Sequence, residues 1–473
     1  MSREPATVLA LDLGSSSVRA LVLDERLDAD PARLARQPVA AVHRAGGAAE
    51  LDPGRVVEAV VQCLDDLHGR GLLGGVGGVV TASQWHSLLA VDRDGTPLSP
   101  ALTWADTRAT AGGSGPADPD AFHRRTGCWH APLFWTTRIP WLRAVLDGRV
   151  ARFLGLSDFV AEALLGEACV SASLASGTGL LDLERLVWDA EALELAGATE
   201  AELPVLAAAG WTGTLAPAWR RRWPALAEVP WWPAVGDGAA ANVGSGCDRP
   251  ERVAITVGTS AAVRVVERRD VAAPLPSSLW RYVVDETRVV TGAAFSGAGN
   301  LFGWATTVLR IEPGELDAVA PGRHELSALP FHAGARPPQD AAPSAGAIAG
   351  LRLDTTAAEL CAGLLEGACL EIARGVRAVG ATLDARPEHV LSGGAAAASR
   401  WWQRTFAATL GEPVLVCDVP EAAARGAALL ALGRSGDPPL RAVAPEPGDV
   451  AAMEASRERY DDLRARVSGW RAA

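Results

Sequence analysis

The stretch VLALDLGSSSVRALVLD, residues 8–24, decides the fold of this chain. Its two apolar runs, residues 8–13 and 18–23, flank a short polar segment, which is the pattern of two strands joined by a tight turn. The turn offers consecutive backbone N–H groups and three hydroxyls, a neutral cradle that suits phosphate oxygens. Its four residues are Gly14, Ser15, Ser16 and Ser17. An ordinary core hairpin with a polar turn has the same pattern, so this stretch alone leaves both interpretations open.

Two charged residues lie beside this turn. Asp12 comes just before it, where an exposed carboxylate can hold a hydrated Mg²⁺. Arg19 follows it, and a guanidinium there can reach a phosphate as a fork-shaped donor. We therefore expect Asp12 to bind the metal and Arg19 to bind phosphate.

The stretch VAITVGTSAAVRVV, residues 253–266, repeats this plan of strand, turn and strand. The residues of the second turn are Gly258, Thr259 and Ser260. Arg264 is placed like Arg19, whereas Thr256 stands where the first stretch has Asp12. The repeat indicates two related domains that face one nucleotide. One hairpin would then bind the metal and the other the phosphate.

Length and composition limit the class of protein. A chain of 473 residues is too long for a single core, and 49% hydrophobic with 21% charged residues is typical of a soluble globular protein. The net charge of -12 argues against a nucleic-acid or anionic-membrane partner. No apolar run is long enough to span a membrane, so we expect a cytoplasmic protein. The composition leaves open whether it forms a homodimer.

The chain contains no lysine, and its basic side chains are all arginine. This absence excludes a Walker A loop, the strand lysine of protein kinases, a Schiff-base lysine and an SxxK nucleophile. Any use of ATP must therefore rely on glycine turns, hydroxyls and arginine. The seven cysteines are dispersed without a CxxC pair, which indicates reduced core thiols, and we expect a metal to arrive with the nucleotide.

Strands alternate with helices along the chain, which predicts an α/β fold. The second hairpin begins directly after residues 247–251, so we place the domain boundary there. This division gives a first domain over residues 1–247 and a second over residues 251–435. Residues 436–473 form a C-terminal tail with a terminal helix.

Asp237, in the segment GDGAAANVGSG, is the candidate general base. Small neighbours leave its carboxylate unshielded at the end of an apolar strand and the start of a helix, where it can accept a proton from a substrate hydroxyl. Aspartate at the start of a helix is equally typical of an N-cap. The spacing alone does not separate these two roles.

Two polar segments can bind a polyol, because together they offer paired hydrogen-bond groups and an aromatic wall. The first contains Gln84, Trp85 and His86, and the second contains Trp104, Asp106 and Arg108. A polar strand end and a core tryptophan would have the same composition, since the chain has 16 tryptophans. If the substrate is an acid, Arg108 or His86 could supply the cation that an acidic protein needs to hold it. Arg108 could instead be a structural partner of Asp106.

Longer stretches of the chain resemble the FGGY family of carbohydrate kinases. They include HSLLAVDRDGTPLSPALTWADTRA, SLASGTGLLDLERLVWD, GDGAAANVGSG and ITVGTSAAVR. The resemblance covers residues 7–434, and within the family these stretches are most similar in sequence to gluconate kinases. Two departures fall on the nucleotide side: Gly334-Ala335-Arg336 stands where the family often has Gly-Glu-Arg, and Ala408 stands where it has a helix aspartate.

The resemblance implies two actin-like (ribonuclease H-like) α/β domains with a central cleft for nucleotide and sugar, and it implies ATP and Mg²⁺. It implies that Asp237 is the catalytic base and that the two polar segments line the sugar pocket. The implied adenosine site consists of Gly299, Gly303, Gly393 and Gly394. The implied reaction is transfer of the γ-phosphoryl group to a sugar or sugar acid, first of all D-gluconate. The alternatives are a xylulose or other pentulose or polyol kinase and, less favoured, a non-catalytic nucleotide-binding regulator.

Overall fold

The computed structural model describes residues 7–44, 46–109, 115–146, 149–331 and 345–467. The departure at residues 334–336 lies outside these ranges. The strands and helices that precede the second hairpin are β1 (Thr7–Leu13), β2 (Ser17–Leu23), β3 (Leu34–Pro38), β4 (Val42–Arg44), β5 (Ala48–Leu51), α1 (Pro53–Gly69), β6 (Val76–Ser83), β7 (Leu89–Val91), β8 (Ala101–Leu102), α2 (Pro119–Thr126), α3 (Trp135–Leu146), β9 (Arg152–Leu154), α4 (Leu156–Leu165), β10 (Cys169–Val170), α5 (Ala172–Ser176), β11 (Leu181–Asp182), β12 (Val187–Trp188), α6 (Ala190–Ala196), β13 (Val205–Leu206), α7 (Pro217–Arg222), β14 (Val235–Gly236) and α8 (Asp237–Gly244).

The elements from the second hairpin onwards are β15 (Arg252–Val257), β16 (Ala261–Arg268), β17 (Trp280–Val283), β18 (Arg288–Phe295), α9 (Gly299–Leu309), α10 (Pro313–Leu316), β19 (Ser327–Leu329), β20 (Ala347–Ala349), α11 (Ala357–Gly380), β21 (Glu388–Ser392), α12 (Gly394–Ala398), α13 (Arg400–Leu410), β22 (Val414–Cys417), α14 (Ala422–Ala431), β23 (Leu440–Val443) and α15 (Pro447–Arg466). Short 3-10 helices cover Pro31–Arg33, Glu200–Glu202 and Pro224–Leu226.

Two mixed sheets organise these elements. The first has the strand order β14-β6-β1-β2-β3, and the second has the order β17-β18-β16-β15-β21-β22-β23. In each sheet the two strands of the predicted hairpin pair antiparallel at the centre, β1 with β2 and β15 with β16. The first strand of each hairpin also pairs on its other edge with a parallel strand, β1 with β6 and β15 with β21. The predicted α/β class is thus confirmed, with the same central motif in both sheets.

The first sheet is covered on both faces, which explains why β1 is apolar on both of its faces apart from Thr7 and Asp12. Leu9, Leu11 and Leu13 point to one face and pack with α1, while Val8 and Ala10 point to the other and pack with α14. The parallel strands β6 and β14 extend this sheet, so their carboxyl ends lie at the same edge as the first turn.

Helix α14 lies far along the chain yet packs on the first sheet and across α8. The helices cross at glycines: a Cβ on Gly244 would lie 1.8 Å from the carbonyl oxygen of Ala422, and one on Gly426 would lie 1.8 Å from that of Ala240. This close crossing links the two sheets at the base of the site described below.

The C-terminal segment belongs to the packing of the second sheet. Strand β23 pairs with β22, and α15 packs on α13 and β19. In the ranges described above, no helix is long and apolar enough to cross a membrane.

Candidate active site

The first turn closes through a hydrogen bond from the backbone N–H of Gly14 to the carbonyl oxygen of Ser17, 3.2 Å long. Ser16 is exposed and Ser15 is half-buried, so both hydroxyls lie at the surface of the turn. Ser17 is different: it begins β2 and is buried. The predicted cradle therefore presents two hydroxyls and not three, because the third has been drawn into the strand.

The second turn is one residue shorter, with Gly258 donating to the carbonyl oxygen of Ser260 at 2.9 Å. This length changes which residues face each other. Asp12 lies directly opposite Arg19, whereas Arg264 lies opposite Ala254. Arg264 still shares a face with Thr256 and donates to its hydroxyl at 3.2 Å.

Arg19 lies between two carboxylates and does not extend freely from the turn. Its Nη1 is 2.8 Å from Oε2 of Glu421 and 3.4 Å from Oδ2 of Asp12. The predicted contact with phosphate stays a prediction, and it would require the guanidinium to exchange these anionic partners for phosphate oxygens. Glu421 is not apparent as a site residue from the sequence, since no local pattern connects it with a residue 402 positions away.

Asp12 lies in a strongly acidic environment. Its pKa is raised to about 7, chiefly by burial; the charge of Arg19 opposes this shift, while repulsion from Asp237 and Glu421 adds to it. A carboxyl group that shares a site with two other carboxylates attracts cations. These oxygen donors suit Mg²⁺, which is held by one or two carboxylates and otherwise keeps water and phosphate ligands. Asp237 and Glu421 act on Asp12 through their charge, and among the described residues no group of three or more His, Cys, Asp or Glu side chains is arranged to hold a metal ion.

Asp237 follows β14 and is the first residue of α8, with Gly236 in the N-cap position. Its Oδ1 accepts a 2.7 Å hydrogen bond from the N–H of Gly238. Burial raises the pKa of Asp237, whereas the positive charge of Arg264 lowers it. A carboxylate with a raised pKa, held at a helix start beside another carboxylate, has the properties of a general base.

Trp85 supports the segment that carries Asp237. Its ring is buried, its Nε1 donates to the carbonyl oxygen of Ser173 at 2.9 Å, and its ring centroid lies 4.9 Å from that of Tyr282. A Cβ on Gly236 or on Gly238 would come within 2.5 Å of the indole. Trp85 is therefore a packing residue and not the sugar platform expected from the sequence.

Gln84 and His86 lie on either side of Trp85 at the end of β6. The side chain of Gln84 is 3% exposed, and neither of its amide atoms has a hydrogen-bond partner in the described part of the chain. His86 has a left-handed backbone (φ 68°), and its Nδ1 lies 2.6 Å from the carbonyl oxygen of Gly177. A buried amide without a protein partner is suited to a ligand that brings its own polar groups.

Asp106 and Arg108 form a structural pair. Nη2 of Arg108 lies 2.7 Å from Oδ2 of Asp106 and 2.5 Å from Oε1 of Glu50, and its guanidinium covers the ring of Trp141 at 4.8 Å. Asp106 is buried and also accepts from the N–H of Ala49. The prediction that Arg108 holds a substrate carboxylate is therefore not supported by this geometry, since its ion pairs are internal. The half-buried Trp104 lies in the same loop.

The predicted adenosine glycines divide into two groups. The N–H of Gly299 donates to the carbonyl oxygen of Gly258 at 2.9 Å, so the start of α9 braces the second turn. Gly393 has φ 90° and lies against the carbonyl oxygen of Val257. The other two glycines are exposed, and a Cβ on either would meet no described heavy atom within 4 Å; they are Gly303 and Gly394. Of the four glycines, this second pair is the more exposed, while Gly299 and Gly393 are half-buried.

Comparison with known proteins agrees with this arrangement. Residues 7–244 match the N-terminal domain, and residues 253–433 the C-terminal domain, of the FGGY family of carbohydrate kinases. The chain belongs to this family. Its function is accordingly that of an FGGY carbohydrate kinase, which confirms the family expected from the sequence.

Individual FGGY relatives cover nearly the whole chain at low identity. A gluconokinase of Bacillus subtilis is 23% identical, and a xylulose kinase of Streptomyces rubiginosus is 29% identical; both matches cover 91% of this chain and 88% of the relative. The crystal structure of a gluconate kinase from Lactobacillus acidophilus superposes with a TM-score of 0.84 at 21% identity, covering 98% of each chain. The structural match shows the fold, and the FGGY relatives differ in their named acceptors.

Proposed function

We propose that this FGGY kinase transfers the γ-phosphoryl group of ATP to D-gluconate, forming 6-phosphogluconate and ADP. The observation that carries the proposal is the convergence of two carboxylates with raised pKa values, Asp12 and Asp237, from separate segments of the first sheet. The positive charge of Arg19 opposes the rise in the pKa of Asp12, and that of Arg264 opposes the rise in the pKa of Asp237. Two carboxylates in distinct environments suit two distinct tasks, one for metal and one for a proton.

Asp237 would accept the proton of the 6-hydroxyl as that oxygen attacks the γ-phosphorus. Its position at the helix start orients the carboxylate, and the positive charge of the neighbouring Arg264 opposes the rise of its pKa that burial causes. The new O–P bond forms as the bond to the ADP oxygen breaks. Such transfer depends mostly on positioning and charge stabilisation, so it does not require a lysine.

Asp12 would hold Mg²⁺, whose charge neutralises the phosphate oxygens when ATP is bound. The two turns would hold phosphate oxygens through their N–H groups and exposed hydroxyls. Those hydroxyls belong to Ser15, Ser16 and Thr259, and the half-buried Ser260 lies beside them. Arg19 could contact phosphate only after leaving Glu421, and Gly303 and Gly394 are the open positions for adenosine.

The choice of acceptor draws on the sequence and on the relatives. The similarity of the sequence around His86 and Trp104 to gluconate kinases, together with the gluconokinase relative, supports gluconate as the acceptor. A xylulose kinase is the second candidate, favoured by the higher identity of the Streptomyces relative and by the internal pairing of Arg108. A non-catalytic regulator is disfavoured, because both carboxylates that the reaction needs are present.

A coupled ADP-release screen tests the proposal. Gluconate, xylulose, ribulose and glycerol are each added at saturating ATP and Mg²⁺, and kcat/KM is compared. We expect gluconate to be the best acceptor. A higher kcat/KM for xylulose would show that the gluconate assignment is wrong while leaving the kinase assignment intact.

A further inference from the structure

Arg138, on α3, is a buried cation that donates hydrogen bonds to four backbone carbonyls. It has no exposed surface. Its Nε donates to Pro132 at 3.0 Å, its Nη1 to His86 at 2.7 Å, and its Nη2 to Thr103 and Asp106, both at 2.8 Å. One side chain therefore holds together three loops that are separate in the sequence.

This arrangement is costly in isolation. Burial lowers the pKa of Arg138 to about 10, and in the described part of the chain no carboxylate lies within ion-pair distance of it. The negative charge of Asp106 nearby stabilises the guanidinium without a direct contact. A planar fork with five N–H donors can satisfy carbonyls in several directions, which the single nitrogen of a lysine cannot do.

Three of the four carbonyls that Arg138 binds lie in the two polar segments discussed above or directly beside them, and the fourth belongs to Pro132. His86 ends the first segment, whereas Thr103 and Asp106 flank Trp104 in the second. Backbone bonds between Leu88 and Leu102 also join the strands nearby. Beyond that pair, His86 has a left-handed backbone with φ 68°, which departs from regular strand geometry. Arg138 donates hydrogen bonds to backbone carbonyls on both sides of this departure.

We infer that Arg138 is a positioning residue for the sugar acceptor, and that it acts by holding the 84–86 and 104–106 segments in register. The inference rests on the proposed function, in which these two segments line the acceptor site. Arg138 itself is buried behind them and contacts no reacting atom. Its loss should therefore weaken acceptor binding and leave nucleotide binding unchanged.

The test is Arg138→Lys, which keeps the charge but cannot reach all four carbonyls. We expect the KM for the acceptor to rise about tenfold or more, because small displacements of binding groups are costly, while the KM for ATP stays within about twofold. The matched control is Arg143→Lys on the same helix, since Arg143 pairs with Glu202 near the surface. The control should leave both constants unchanged.

Two outcomes would overturn the inference. An unchanged acceptor KM would show that the register does not depend on Arg138, and an equal rise in both KM values would indicate a merely structural role. The acceptor used is whichever compound the wild type phosphorylates fastest. A wrong choice of gluconate thus appears in the wild-type screen and leaves this comparison intact.

If Arg138→Lys does not fold, hydrogen exchange of the wild type tests whether the 84–86 and 104–106 segments respond to the acceptor together. Saturating acceptor should slow exchange in peptides covering residues 84–88 and 101–109 together, because Arg138 couples them. Slowing in only one of the two peptides, or in neither, would contradict the inference. Residues 252–268 serve as the internal reference, where the acceptor alone should change little.

Discussion

Single residues in this site owe their chemistry to their neighbours. Asp12 and Asp237 are ordinary aspartates in sequence, yet burial raises the pKa of each, and the charge of Asp237 adds to the shift of Asp12. Arg19 and Arg264 oppose these shifts from strands of the two hairpins. The free enzyme therefore concentrates carboxylates where a cation and phosphates are expected to bind.

Asp12→Asn should stabilise the ligand-free protein at pH 8. The folded pKa of about 7 lies above that of the unfolded chain, so the wild type loses stability as pH rises from about 4 to 7. The amide avoids this loss, and the gain is at most about 4 kcal/mol for a shift from 3.8 to about 7. Thermal unfolding without Mg²⁺ or nucleotide measures it.

At pH 4 the two proteins should have nearly equal melting temperatures, because the unfolded chain then gains little by ionising Asp12. The exposed Asp462→Asn is the control and should show no such pH-dependent difference. A gain that is equal at both pH values would mean that Asp12 carries no raised pKa.

Asp237→Asn should keep the fold and nucleotide binding while turnover falls by about 10²–10⁴, the usual contribution of a general base. Calorimetric titration with ADP and Mg²⁺ checks binding, and a coupled assay checks turnover. Asp270→Asn, which alters an exposed ion pair, is the control. Near-normal turnover of Asp237→Asn would show that the carboxylate only supports the helix start.

Arg108→Gln should raise the KM of gluconate and of xylulose together. Because Arg108 neutralises Asp106 and Glu50, its loss disturbs the whole loop and does not remove a specific carboxylate contact. The ratio of kcat/KM for gluconate to kcat/KM for xylulose should stay within about threefold of its wild-type value. A threefold change corresponds to less than about 1.4 kcal/mol, the free energy of a tenfold change. Selective loss of gluconate activity would instead show that Arg108 reaches the substrate carboxylate.

Among the elements, the α8–α14 crossing joins the segment that begins at Asp237 to a helix that follows strand β22 of the second sheet. Helix α8 begins at Asp237, and Glu421, in the N-cap position of α14, pairs with Arg19. Helices this close need small residues at the crossing. A displacement of α14 would therefore move Glu421 away from Arg19.

Gly426→Ala should destabilise the protein by about 1–3 kcal/mol, the usual cost of overpacking. The added methyl group would meet the carbonyl oxygen of Ala240, which is backbone and cannot rotate away. Thermal unfolding measures the effect, and kcat should fall with it. Gly380→Ala, at the end of α11 where no described atom lies within 4 Å, is the matched control and should be neutral or slightly stabilising. Equal melting temperatures for both variants would refute the close crossing.

In the whole molecule, the first and second turns lie on different sheets, which we propose are the centres of a first domain (residues 1–247) and a second domain (residues 251–435). Strand β23 and helix α15 extend the second of these. A hydrogen bond from the N–H of Val283, at the end of β17, to Oγ of Ser176, at the end of α5, also joins the two proposed domains at 2.9 Å. A nucleotide held by both turns would draw the domains together and exclude water.

Small-angle scattering should detect this closure. A compact chain of this length has a radius of gyration of about 23 Å, and we expect a smaller value with acceptor and a non-hydrolysable ATP analogue than without ligands. Acceptor alone and analogue alone are the controls. The same radius under saturating ligands would argue against a mobile cleft.

Local pattern was sufficient for the elements themselves. The hairpins at residues 8–24 and 253–266, the helix after Asp52 and the strand-to-helix step at Asp237 all follow from apolar spacing and turn residues. Helix α1 is an example: the Asp52 side chain caps it through the N–H groups of Gly54 and Arg55, and Pro53 begins it. Such features depend on hydrogen bonds between near neighbours, so the sequence reveals them.

The partners of long polar side chains were decided only by the tertiary structure. Arg19 reaches Glu421, Arg108 reaches Glu50, and Arg138 reaches three separate loops. Trp85 became a packing residue because glycines of a distant segment leave room for its ring. A guanidinium can pair with any carboxylate or carbonyl, and an indole can pack against many apolar groups. The folded chain determines which of these partners lies within reach of the side chain and which side chains are buried.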